Sequence, residues 1–230
     1  MKKYLFFITV LVLCSPVITN AGYLDSTYSW HWSSTLNAWS SQYKHIYTYD
    51  ANNNLAYSLD MTWNGNSWLN TAFTTHAYDA NNNLIQKLTQ GWNGSSWINS
   101  SILTYTYDIN NNQTSSLDRF WDGSGWHNNS QYQSTFDAGN NLLSEMFAQW
   151  NDTVSSWINQ YLKIYAYDAN NNQVSSTSQN WNGTSWVNTA RELFTYDANN
   201  NKLTWTKQSW NGLSWNNNYY YAYTYNSNNN

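Results

Sequence analysis

A Tyr-Asp corner returns along this chain at an almost constant interval. It stands at Tyr49-Asp50, Tyr78-Asp79, Tyr107-Asp108, Phe136-Asp137, Tyr167-Asp168, Tyr196-Asp197 and Tyr225-Asn226, in steps of 29, 29, 29, 31, 29 and 29 residues. A second marker, WNGxSW or a near variant, keeps the same beat at Trp63/Trp68, Trp92/Trp97, Trp121/Trp126, Trp181/Trp186 and Trp210/Trp215. Six-residue loops separate the partners Trp32/Trp39 and Trp150/Trp157. A period of this size marks a repeat architecture, in which each unit is one supersecondary element stabilised by its neighbours. It argues against a globule built around one site.

The residues between the markers alternate with the period of two of a strand. In WINSSILTYTYD, Trp97, Asn99, Ser101, Leu103, Tyr105 and Tyr107 fall on one side; Ile98, Ser100, Ile102, Thr104 and Thr106 fall on the other. In the return segment LIQKLTQGW, Leu84, Leu88 and Trp92 are expected on one face. No helical spacing is present. Each repeat therefore reads as two strands of about ten residues, and the markers are its two hairpin turns. The chain holds fourteen strands on this reading, from 26–32 to 215–225.

Both turns have a structural explanation. In Asp79-Ala80-Asn81-Asn82-Asn83 the Asp caps its own turn, and Asn is the non-Gly residue that best tolerates left-handed backbone. Tyr78 and Leu84 are expected to face each other across it. At the other end, Asn93-Gly94 is expected to supply positive backbone angles, with Trp92 and Trp97 closing the loop as a cross-strand pair. Pairing Trp63 with Trp68 and Tyr78 with Leu84 makes each hairpin slip by two residues, the stagger that tilts strands in a barrel or spiral. The fold class expected is all-β: an antiparallel β-meander of about fourteen strands from seven repeats, curled into a barrel-like or superhelical sheet with its Trp, Tyr and Leu face inward.

The leader MKKYLFFITVLVLCSPVITNAG has two lysines, an apolar run and a small-residue exit, the layout of a secretory signal over residues 1–21. Residues 22–230 then form a single β-repeat domain. Cys14 is the chain's only cysteine, so the mature chain has no disulfide or thiol chemistry. Without the leader lysines, seven Lys and Arg face 13 Asp and Glu, a net charge near −6. No basic stripe exists to attract a nucleic-acid backbone. Aromatic residues make up 19% of the chain, charged residues only 10%, and Asn accounts for 39 positions, a composition unlike that of most enzymes.

Candidate chemistry is sparse. Asp50, Asn52 and Asn54 stand at i, i+2 and i+4, like the start of a calcium loop, but each turn offers one carboxylate and no bidentate acid follows at the right distance. Apart from the six corner Asp residues, the acids are Asp25, Asp60, Asp118, Asp122, Glu145, Asp152 and Glu192, spread over different repeats with no facing pair evident. His31, His45, His76 and His127 share no repeat position and no ligand spacing. GxSxG, phosphate-loop and HExxH motifs are absent. The expectation is no catalytic, metal or cofactor-binding residue, no cofactor, and a ligand site left unknown.

The corners YDANNNL, YDINNNQ and FDAGNNL resemble the YD repeats of Rhs-type and teneurin-like proteins, and with the interleaved WNGSSWINS the chain resembles repeat regions of exported Bacteroidetes proteins. The resemblance covers residues 23–230. It departs where Asn replaces the usual Gly-Asn, only Gly139 keeping the glycine, and in its longer period. The chain stops at Asn228-Asn229-Asn230 in mid-turn, as a truncated product lacking a sorting domain would. The resemblance implies large curled β-sheets without catalytic residues in the repeat. The leading expectation is a non-enzymatic exported protein with a structural or cell-surface interaction role, secreted or on the surface of a Gram-negative bacterium, with a glycan or protein partner and no membrane insertion. A glycan-binding module using exposed Trp and Tyr is the first alternative, although aromatics at strict repeat positions are expected more often in a core. An outer-membrane barrel is the second; the strand length suits it, but neither face is continuously apolar.

Overall fold

The computed structural model describes residues 23–35 and 37–226. The leader expected at residues 1–21 lies outside the described residues. Fourteen strands follow one another: β1 (Ser26–Ser33), β2 (Ala38–Tyr49), β3 (Leu55–Trp63), β4 (Trp68–Tyr78), β5 (Leu84–Trp92), β6 (Trp97–Tyr107) and β7 (Gln113–Trp121). The second half continues with β8 (Trp126–Phe136), β9 (Leu142–Asn151), β10 (Ser156–Tyr167), β11 (Gln173–Trp181), β12 (Trp186–Tyr196), β13 (Lys202–Trp210) and β14 (Trp215–Ala222). They form one antiparallel sheet in sequence order. β1 and β14 do not pair, so the sheet is open: of the two architectures expected, the closed barrel is not formed, and the outer-membrane alternative loses the closure a spanning sheet requires.

The expected register is present. Trp63 pairs with Trp68, Tyr78 with Leu84 and Trp92 with Trp97. Lengths of nine and eleven residues alternate over β3–β8 and β11–β13, and they are reconciled by two bulges per repeat. One extra residue sits on the short strand beside the Asp corner, such as Ile85, and one on the long strand beside the Trp turn, such as Ser100. A bulge places two residues opposite one and increases local twist. It also changes which face the following residues occupy. Ser100 divides the stripe expected on β6: Trp97 and Asn99 share a face with Ile102, Thr104 and Thr106, while Ser101, Leu103, Tyr105 and Tyr107 lie on the other. Ile85 likewise separates Leu84 from Leu88 and Trp92.

Among the described residues, no second layer covers the sheet. Packing is almost entirely between neighbouring strands, and no large side chain is fully buried; Ile102 and Ala148 are the buried apolar residues among those described. The Trp face is therefore not a sealed core, contrary to expectation. A sheet this long exposes both faces unless it closes, and this one does not. Across β1–β4 it bends toward the Trp face. The rings of Tyr28 on β1 and Trp68 on β4 meet at 5.9 Å, although three strand spacings, about 14 Å in a flat sheet, separate their backbones.

Candidate functional site

The corner is the first feature to resolve into site or scaffold. In the repeat at Asp79, one carboxylate oxygen accepts from the backbone N–H of Asn81 and Asn83, both at 2.8 Å, and the other accepts from the Asn83 side-chain amide at 3.0 Å. Asp50, Asp108, Asp137, Asp168 and Asp197 accept the same three kinds of bond. These donors hold all six carboxyls below the usual carboxylate range, because a hydrogen-bonded carboxylate is favoured over the acid. At the candidate calcium loop, the Asn54 amide therefore points a donor at Asp50. What the corner builds is a lock.

The lock extends between repeats. Asn53, Asn82, Asn111, Asn140, Asn171 and Asn200 carry positive φ of 63 to 67°. Asn82, for example, also accepts from the Asn54 amide of the preceding corner at 3.0 Å, as Asn111 does from Asn83 at 2.8 Å. The single Gly139 is not the left-handed residue of its corner; Asn140 is. The corner tyrosine completes the lock: Tyr78 and Tyr107 donate to the carbonyls of Leu55 and Leu84 on the preceding strand, at 3.0 and 2.9 Å. Phe136 holds the same position without a hydroxyl.

At the other edge all seven Trp pairs are edge-to-face, with centroids 5.0 to 5.4 Å apart. The two longer loops leave their pairs intact. Asn93 is not left-handed as expected. Gly94 alone carries positive φ, 98°, and the Asn93 side chain accepts from the N–H of Ser95 and Ser96. The indoles are half-buried to exposed, reaching 48% and 61% exposure at Trp32 and Trp39. Beside them runs a row of amides, with Gln90 donating to Asn99, Gln179 to Asn188 and Gln208 to Asn217.

The opposite face holds what the repeat does not keep constant. Register brings His45 Nδ1 within 2.8 Å of Asp60 Oδ1. His127 Nε2 approaches Asp122 Oδ2 at 2.8 Å, and Asp122 is held low mainly by the N–H groups of Ser124 and Gly125. Tyr165 donates to Glu145 at 2.7 Å; burial, then that bond, raises its pKa well above normal. Lys163, Ser176, Ser178, Glu192 and Lys207 line a half-open concavity of about 270 Å³. The His45–Asp60 and Tyr165–Glu145 contacts depend on strand register, with partners 15 and 20 residues apart, whereas His127 and Asp122 meet across a single Trp turn. Among the described residues, no three His, Cys, Asp or Glu side chains gather as a metal site would require, and no helix is long and apolar enough to cross a membrane.

Comparison with known protein families and with curated proteins gives no match. Among solved structures, the fold is similar to a protein of unknown function from Bacteroides fragilis NCTC 9343, with 16% identity, a TM-score of 0.43, and coverage of 54% of this chain and 91% of that one. It is similar to part of the TcdB2-TccC3 structure, with 14% identity and a TM-score of 0.42 over 87% of this chain but 12% of that chain. A porin-like protein from Bacteroides uniformis ATCC 8492 gives 11% identity and a TM-score of 0.30, covering 78% and 88% of the two chains. At these identities and with TM-scores below 0.5, the likenesses carry no argument about this chain.

Proposed function

We propose that this chain is an exported, non-enzymatic repeat protein of YD type, whose open sheet has a structural or cell-surface interaction role. The observation that carries the reading is that the repeated polar groups are consumed in joining one repeat to the next. The corner Asp and Asn residues bond within and between turns, and what they leave exposed is a sheet with two accessible faces. A surface of that kind suits holding a partner along its length. The signal-like layout of residues 1–21 supports a location outside the cytoplasm, and the partner is a surface glycan or protein rather than nucleic acid or the membrane interior. The test is fractionation with surface proteolysis. The mature chain should be cleaved by protease added to intact cells and should extract in aqueous buffer. Retention inside the cell, or extraction by detergent alone, would overturn the assignment.

One observation favours the glycan alternative specifically. Trp side chains on strict repeat positions remain half-exposed beside amides, the pairing of an apolar face with hydrogen-bonding groups that sugars require. Binding to a panel of polysaccharides checks it.

A further inference from the structure

We propose that the Trp face binds a linear polysaccharide bearing carboxylate or sulfate groups and lying across the strands; this rests on the glycan alternative above. The first observation is a segregation of charge that the register reveals. On the strands, the ionised side chains sharing the Trp face are Lys44, Arg119 and Arg191. All four strand carboxylates, Asp60, Asp118, Glu145 and Glu192, project from the opposite face with the remaining strand lysines. An acidic protein thus keeps one face free of strand carboxylates.

The second observation is periodicity. Trp pairs recur on this face at every Trp turn, two strand spacings or roughly 10 Å apart, and all but Trp32/Trp39 have an amide of the series Asn70, Asn99, Asn128, Asn159, Asn188 and Asn217 one step inward. A polymer crossing the strands meets an apolar ring and an amide at each step, and its sugars present apolar faces and hydroxyls to match. The three cations stand on β2, β7 and β12, five spacings or roughly 24 Å apart. No small anion spans that distance, whereas an extended polyanion touches all three. They are also far too sparse for a nucleic-acid backbone, which offers a charge every few ångströms. Arg119 lies between Ile102 and Asn128 in the amide row, and its Nε is buried without a hydrogen-bond partner. Arg191 Nε donates to Gln208, and its guanidinium covers the Trp215 ring at 4.6 Å.

Titration calorimetry of the purified protein with alginate oligosaccharides of graded length tests the proposal. Neutral cello-oligosaccharides and oligo-dT serve as comparisons. Affinity for alginate should rise at least about tenfold from the shortest to the longest chains through repeated contacts, and should weaken with salt. Arg119→Gln should weaken it about tenfold by removing a charged contact, Arg119→Lys should restore most of that, and Asp118→Asn on the opposite face should not weaken it. If Arg119→Gln does not fold, Lys44→Gln replaces it. Length-independent binding, or equal affinity for the neutral sugars, overturns the inference and leaves the glycan alternative standing. Absence of binding to either sugar series overturns both, and tighter binding of oligo-dT overturns the inference in favour of a nucleic-acid ligand.

Discussion

At the scale of single residues, Asn82 has two separable tasks. It occupies left-handed backbone at φ 65° and accepts the Asn54 amide from the preceding corner. Asn82→Gly keeps the backbone and loses the acceptor, costing about 1 kcal/mol. Asn82→Ala loses both and should cost roughly 2–3 kcal/mol, since left-handed backbone is unfavourable for a residue with a Cβ. Chemical denaturation should rank the two in that order; equal losses would show that the bond between corners adds nothing. The acid response follows from the pKa directions. His76 is pushed below 6.5 first by burial and then by Lys87, which it faces. Below pH 6.5 the unfolded chain takes up this proton before the folded one, so stability falls slightly as pH drops. The six corner carboxyls are held below 3.8. Their contribution is complete above that value and is lost as pH falls through their lowered folded values. Melting temperatures between pH 8 and 2 should therefore show a small step that His76→Gln removes, followed by a steep decline below pH about 4.

At the scale of the hairpin, the Trp pairs act as edge clamps rather than core. Trp92→Ala with Trp97→Ala should cost roughly 2 kcal/mol, less than burial in a sealed core would imply, and a double-mutant cycle should return about 0.5–1.5 kcal/mol of coupling. The more exposed Trp32/Trp39 pair should lose less on the same replacement. Equal losses would mean that the turn and not ring burial sets the cost. Strand limits and the Trp and Tyr-Leu pairings were legible in the sequence because the turn residues name their own geometry; β3 to β6 begin and end where the markers require. The faces were not. A bulge leaves no compositional mark at Ser100 or Ile85, yet each reassigns the residues beyond it, and with them the sorting of charge between faces. The His45–Asp60 contact was hidden for the same reason, because a one-residue error of register removes it.

At the scale of the whole molecule, openness is the property that sequence periodicity left undecided. Slip and strand number are compatible with closure, and only the absence of pairing between β1 and β14 separates a spiral from a barrel. Deleting 64–92 converts that distinction into an experiment. The deletion joins Trp63 to Asn93, so β3 acquires the turn and partner strand that belonged to β5. Trp63 then faces Trp97, the Tyr107 hydroxyl finds the Leu55 carbonyl in place of Leu84, and Asn54 meets Asn111 in place of Asn82. Every lock is re-formed one repeat shorter. An open sheet, whose stability is close to a sum of repeats and their interfaces, should remain soluble and melt cooperatively, with a denaturant slope reduced in proportion to the surface removed. Deleting 59–86 instead removes 28 residues within a strand and joins Ser58 to Lys87, two residues of the same face. Everything beyond the junction is then inverted unless a new bulge absorbs the error, and folding should fail or weaken severely. If the 29-residue deletion fails as badly as the 28-residue one, the two ends of the sheet depend on each other, and the open meander does not describe the protein in solution.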